Sequence, residues 1–163
     1  METIVNGVTI LKQPSTANDT AQANIDLIVE FFSLYLKDKD RFYSLWVEAE
    51  PQVITPFVTD DVAVLHSGVH SGWPAVKGFW DPIHDEMHGR FDWFVDEFIV
   101  GEDPNTIVTR SHSEVDVQTG ETWGNRHVAY KGRYVQVFRF DNGRVKSFEE
   151  YYDTATLNAA YGA

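Results

Sequence analysis

The side chains whose types and spacing could carry acid/base chemistry are Glu150 and His84, with Arg133 as a fixed positive charge and His88 four residues beyond His84. Glu150 lies on an alternating run that follows Asp141-Asn142-Gly143-Arg144, whose Asn-Gly pair accepts the positive φ that a type I′ hairpin turn needs at both central positions. With Asn142 and Gly143 as the loop, Val137 falls opposite Phe148, Val135 opposite Glu150 and Arg133 opposite Tyr152. Glu150 then shares a face with Val135, Val137 and Phe148. It loses solvation there, its pKa rises, and it becomes suited to taking up or handing over a proton near neutral pH. The alternative is that this face is open to solvent, or that Arg133 holds Glu150 ionised in a structural ion pair. His84 and His88 stand four apart, which on a helix sets two imidazoles on one face. The first is followed by Asp where a zincin helix has Glu, and spacing indicates no third ligand, so no metal site is assigned. His84 is one turn from Trp80, which turns it toward the sheet as a proton donor or polariser; the alternative sets both histidines on a solvated face.

The elements that must position these groups follow from periodicity. Residues 1–17 read as an N-terminal arm that passes through Pro14, and residues 18–163 as a single domain. Asn18 or Asp19 caps a helix carrying Ile25, Ile28, Val29, Phe32 and Leu36 at helical spacing, and a shorter helix with Phe42, Leu45 and Trp46 follows to make a helical hairpin. An edge segment at 53–58 is interrupted by Pro56, and a short strand runs over 62–65. A third helix opens at Ser71-Gly72-Trp73-Pro74 and carries Val76, Phe79, Trp80, Ile83 and Met87 as far as Gly89, with a kink or restart at Pro82. Long strands follow over 91–100 and 106–118, then the central hairpin, and Thr154 to Tyr161 forms a closing helical turn. Helices first and long antiparallel strands last give an α+β cone, a curved sheet wrapped around a helix with a pocket at its mouth.

Composition excludes several classes. At 163 residues the chain is one domain able to bury its own core. With 25 acidic against 13 basic residues, its formal charge of -12 repels phosphate backbones and anionic lipids, so nucleic acid and membrane surfaces are poor partners. Cysteine is absent, which removes disulfides, thiolate nucleophiles and cysteine-ligated metals. There is no stretch of membrane-spanning length and no signal-peptide pattern at the amino end, so a soluble cytoplasmic protein is expected. Phosphate-binding glycine loops and a nucleophile elbow are missing. Five Trp and eleven Phe suit an apolar or aromatic ligand, although ordinary cores use the same residues.

The order of elements, the segment Gly101-Glu102-Asp103-Pro104-Asn105 between two strands, the 138–145 hairpin and Lys146 followed by Glu149-Glu150 before an aromatic pair resemble the SnoaL-like branch of the nuclear transport factor 2-like (NTF2-like) superfamily, and within it the phenazine biosynthesis A/B proteins. The resemblance spans about residues 60–153. It implies a homodimer of cone-shaped subunits, each with a deep apolar cavity and no cofactor, and it sets the family's catalytic glutamate at Glu150. Relatives perform polyketide cyclisation, isomerisation, dehydration, and cofactorless cleavage such as formaldehyde loss from lignin-derived aromatics. The family's helix histidine aligns near Trp80 or Asp81, and its histidine-bearing strand reads Arg133, Tyr134, Val135, Gln136 here, so phenazine chemistry itself does not carry over.

The expected function is therefore a cofactor-free lyase or isomerase acting on a small apolar, aromatic or polyketide-like molecule. Glu150 moves the proton, His84 or another pocket histidine steadies charge on oxygen together with Arg133, and Trp46, Trp80, Phe138, Phe148 and Tyr152 lie near the substrate. Two alternatives stand beside it: a non-catalytic small-molecule-binding or association module of the same fold, and a metal-dependent hydrolase using His84 and His88.

Overall fold

A computed structural model describes residues 2–56 and 68–162 of the chain. The strand expected at 62–65 lies outside the described residues.

The chain opens with β1 (Thr3–Val5) and β2 (Val8–Ile10), joined at Asn6-Gly7, where both residues hold positive φ (49° and 85°). The turn at Asn142-Gly143 has the same form (48° and 76°), because Asn and Gly are the residues that enter the left-handed region most readily. Residues 3–10 of the expected arm thus pair into the sheet. β2 lies parallel to β5 (His88–Val100), and Val8 and Ile10 are buried in the core.

Helix α1 (Asp19–Ser33) starts at Asn18, whose side chain accepts the Ala21 N–H, and α2 (Lys39–Ser44) starts at Asp38, which accepts the Arg41 N–H. The strands β3 (Gln52–Ile54) and β4 (Val69–Ser71) precede α3 (Trp73–Glu86). α3 runs through Pro82 and stops at Glu86, not at Gly89. His88 accordingly begins β5, and His84 and His88 do not share a helical face. β6 (Thr106–Gln118), β7 (His127–Asp141), β8 (Arg144–Tyr152) and the terminal helix α4 (Thr154–Tyr161) complete the fold.

The eight strands form one open sheet in the order β1-β2-β5-β6-β7-β8-β3-β4. β5 to β8 are antiparallel, while β2 and β3 join their outer edges in parallel. Two bulges bend it: Asp96 is skipped in the pairing of β5 with β6, and Lys146 in the pairing of β7 with β8. An extra residue in one strand increases local twist and curls the sheet, here around α1. At the hub Phe31, fully buried, meets the rings of Phe42, Trp46, Trp80, Phe138 and Phe148. Each such side chain contributes about 1.5–3 kcal/mol by leaving water.

The Lys146 bulge also resets the central hairpin. Asp141 pairs with Arg144 as the turn requires, but beyond the bulge Phe138 pairs with Phe148, Gln136 with Glu150 and Tyr134 with Tyr152. The residues opposite Phe148, Glu150 and Tyr152 are thus the even-numbered ones of β7, not Val137, Val135 and Arg133. Val135 is 39% exposed and Arg133 is also exposed, both on the outer face.

Candidate active site

Glu150 faces the inside of the sheet with Gln136 beside it. Thr109, Gln136 and Glu150 stand directly opposite one another on β6, β7 and β8. Gln136, with no exposed surface, accepts hydrogen bonds at Oε1 from Thr109 Oγ1 (2.7 Å) and Ser111 Oγ (2.8 Å), and through Nε2 donates to Glu150 Oε2 (2.9 Å). Two hydroxyl donors on the carbonyl oxygen leave the amide one orientation, with its N–H aimed at the carboxylate. Burial pushes the Glu150 carboxyl up to about 7, and the Gln136 hydrogen bond works in the opposite direction by favouring the ionised form.

Glu150 is half-buried by area and lines an interior cavity of about 50 Å³. Around it stand Tyr35 from the end of α1, Trp80 from α3, Trp93 from β5, and Tyr134 and Tyr152 from the hairpin. The charge of Glu150 acts on the phenols of Tyr35, Tyr134 and Tyr152, and burial with this charge raises all three above the ordinary phenol value, Tyr152 to about 12. They stay protonated and serve as neutral hydrogen-bond donors. The indole N–H groups of Trp80 and Trp93 are buried with no hydrogen-bond partner among the described residues.

Ile83 and Met87 from the α3 end, and Leu157 and Tyr161 from α4, complete its lining. A cavity of this size holds a few waters. It is well below the ~300–1,000 Å³ of a typical ligand pocket, so an aromatic guest enters only as these walls move aside.

Of the sequence-derived candidates, the structure brings Glu150, Trp80 and Tyr152 together at the cavity. Trp46, Phe138 and Phe148 are buried in the core behind it. His84 packs against Phe42 (ring centroids 4.6 Å apart) and Trp80 but does not line the cavity. Both of its ring nitrogens are buried without a partner among the described residues, and burial lowers its pKa to about 4, which leaves it neutral. Arg133 points away from the cavity, so neither half of the expected charge-steadying pair meets Glu150.

The sequence reading missed Gln136 and the tyrosines at 35, 130, 134 and 161. A signal for two of them lay in β7, where the charged residues Lys131, Arg133 and Arg139 all fall on odd positions and mark the outer face, leaving Tyr134 and Gln136 inside. Among the described residues no group of three or more His, Cys, Asp or Glu is gathered as metal ligands, and no helix is long and apolar enough to cross a membrane.

No protein-family model matches the chain, and no curated protein is detectably similar to it in sequence. Solved structures are similar in shape. A protein from Jannaschia sp. CCS1 named as a putative SnoaL-like polyketide cyclase superposes with a TM-score of 0.70 at 12% identity, over 92% of this chain and 99% of that one. An NTF2-like protein of unknown function from Burkholderia pseudomallei K96243 gives 0.63 at 20% identity, over 86% and 98%. The fold is NTF2-like. A phenazine biosynthesis-related protein from Pseudomonas aeruginosa shares the cone as well, with a TM-score of 0.68 at 16% identity over 92% of this chain and 87% of that one. At these identities the likeness is one of architecture, and what happens inside this NTF2-like cone must be argued from its own residues.

Proposed function

We propose that this chain is a cofactor-independent acid/base enzyme of the lyase or isomerase type, acting on a small, largely apolar aromatic or polyketide-like molecule. The observation that carries the reading is a single carboxyl, oriented by Gln136 and raised to about 7, on the wall of an aromatic cavity. A group with a pKa near the working pH is present in both forms, so it can accept a proton from carbon and return it to another position or to a leaving group. Such proton transfer contributes on the order of 10²- to 10⁴-fold, with positioning and exclusion of water adding the rest. Dehydration, ring closure and formaldehyde-releasing cleavage of lignin-derived aromatics all fall within this chemistry.

The protein acts as a homodimer in this reading, with Ile99, Val135 and Tyr151, exposed on the outer face of the sheet, supplying apolar area for the partner. The tight cavity favours a second reading, a module that binds a small ligand without transforming it. Glu150→Gln separates the two: an enzyme loses turnover while keeping affinity for its substrate, whereas a binder has no turnover to lose. Unchanged turnover in that variant would end the acid/base reading.

A further inference from the structure

On the outer face of the sheet, near the Asn142-Gly143 turn, polar side chains form a row across five strands. Thr106 of β6 stands opposite Arg139 of β7, Arg139 opposite Ser147 of β8, Ser147 beside Gln52 of β3, and Gln52 opposite Ser71 of β4. All five line one groove of about 520 Å³, with Asp103 just before β6 and Glu50 just before β3. That is the size of a small-molecule pocket, typically ~300–1,000 Å³, whereas the interior cavity is only about 50 Å³. The Lys146 bulge adds a cation here. Lys146 falls between Val145, which pairs with Phe140, and Ser147, which pairs with Arg139, and it lines the same groove. Two of the acids in the groove are engaged by their own neighbours. Asp103 accepts the Asn105 N–H and the Thr106 hydroxyl, both at 2.9 Å, and Glu149 accepts the Tyr151 hydroxyl at 2.8 Å. Arg139, Lys146 and Ser147 make no side-chain hydrogen bond and no ion pair among the described residues. Gln52 donates to Ser71 Oγ at 3.0 Å, which leaves its own carbonyl and the Ser71 proton free.

We propose that this groove is a second small-molecule site, on the opposite side of the sheet from Glu150, and that it takes an anionic sugar. Two adjacent cations and a hydroxyl donor without partners suit a phosphate or carboxylate end: Arg139 presents a planar fork to two oxygens, Lys146 adds a point charge, and Ser147 donates a further hydrogen bond. Strands lie about 4.8 Å apart, so Gln52 is two spacings, about 10 Å, from Arg139. There the Gln52 carbonyl, the Ser71 hydroxyl and the Glu50 carboxylate accept from or donate to the hydroxyls of a sugar whose anion is held at Arg139. The row stands four residues along β7 from the Val135 and Tyr151 pair. Nothing in the inference depends on the acid/base reading of Glu150.

Isothermal titration calorimetry on the intact chain tests this with glucose-6-phosphate, glucuronate, glucose and inorganic phosphate. At least one of the two anionic sugars is expected to bind saturably at one site per chain, and the tighter of them identifies the head group as phosphate or carboxylate. Glucose and inorganic phosphate, each lacking half of the recognition, are expected to bind at least about tenfold more weakly. Arg139→Gln and Lys146→Gln are each expected to weaken the sugar complex about fivefold or more, the scale of one charge-assisted hydrogen bond. Arg133→Gln removes a cation from the same face outside the groove and is expected to leave affinity within about twofold. Failure of the parent to bind either anionic sugar, glucose or inorganic phosphate binding as tightly as the sugar that combines them, or affinity untouched by both Arg139→Gln and Lys146→Gln overturns the proposal. An equal loss in Arg133→Gln overturns it too, since the attraction would then belong to the general field of the face.

Discussion

Replacing Glu150 by Gln keeps the size and the hydrogen bond from Gln136 but removes the titration. The folded-state carboxyl sits at about 7 against an ordinary 4.5, and each pH unit between the two values is worth ~1.4 kcal/mol. The folded state holds this proton more tightly than the unfolded chain. Its contribution to stability is therefore fully present below pH 4.5 and is lost as the pH rises through about 7, where the ionised group costs about 3 kcal/mol. Glu150→Gln carries no such cost. Urea denaturation from about pH 5 to about pH 8 should show the variant gaining on the parent throughout, ending more stable by up to about 3 kcal/mol. His84 acts with the opposite sign, because its pKa falls from 6.5 to about 4 and its contribution is lost on acidification across that window. The parent's own curve is flattened for this reason, and the difference between parent and variant, in which His84 cancels, is the quantity to read. A difference independent of pH would refute the reasoning.

Gln136→Leu should raise the Glu150 pKa further, seen as an alkaline shift of its titration, and cost about 1–3 kcal/mol for each of the Thr109 and Ser111 hydroxyls left without an acceptor, measured by denaturation. Arg133→Ala, on the outer face, should change stability by no more than about 0.5 kcal/mol and leave substrate turnover unaltered. Deleting Lys146 removes the unpaired residue yet leaves Arg139 opposite Ser147, Phe138 opposite Phe148 and Gln136 opposite Glu150, so the Glu150 carboxyl should keep its inward face and its raised pKa, as read by its titration in the deletion variant.

The parts of this fold legible in the sequence are those set by local rules. The α1 cap at Asn18, the apolar spacing behind it, the Asn142-Gly143 turn and the span 106–118 of β6 were all readable, because each depends on residues near one another in the chain. The Asn6-Gly7 turn carried the same signal as Asn142-Gly143 but was passed over, since two strands of three residues gain stability only by joining β5, a contact about eighty residues away. Glu150 was read as facing inward on the wrong neighbours. The extra residue at Lys146 has no distinctive side chain, so nothing local announces that the register changes. His84 follows Trp80 into the interior as its helical spacing suggested, but which of two adjoining interior spaces it meets depends on where α1 and α2 pack against α3.

The central claim is that the Glu150 carboxyl titrates near neutrality inside the aromatic cavity, and carbon-13 NMR of glutamate side-chain carboxyls across a pH series tests it directly. One resonance is expected to move with a midpoint of about 7 and to vanish from the spectrum of Glu150→Gln. If instead every glutamate carboxyl titrates within the ordinary carboxylate range, the interior of this cone does not hold the acid/base group assigned to it.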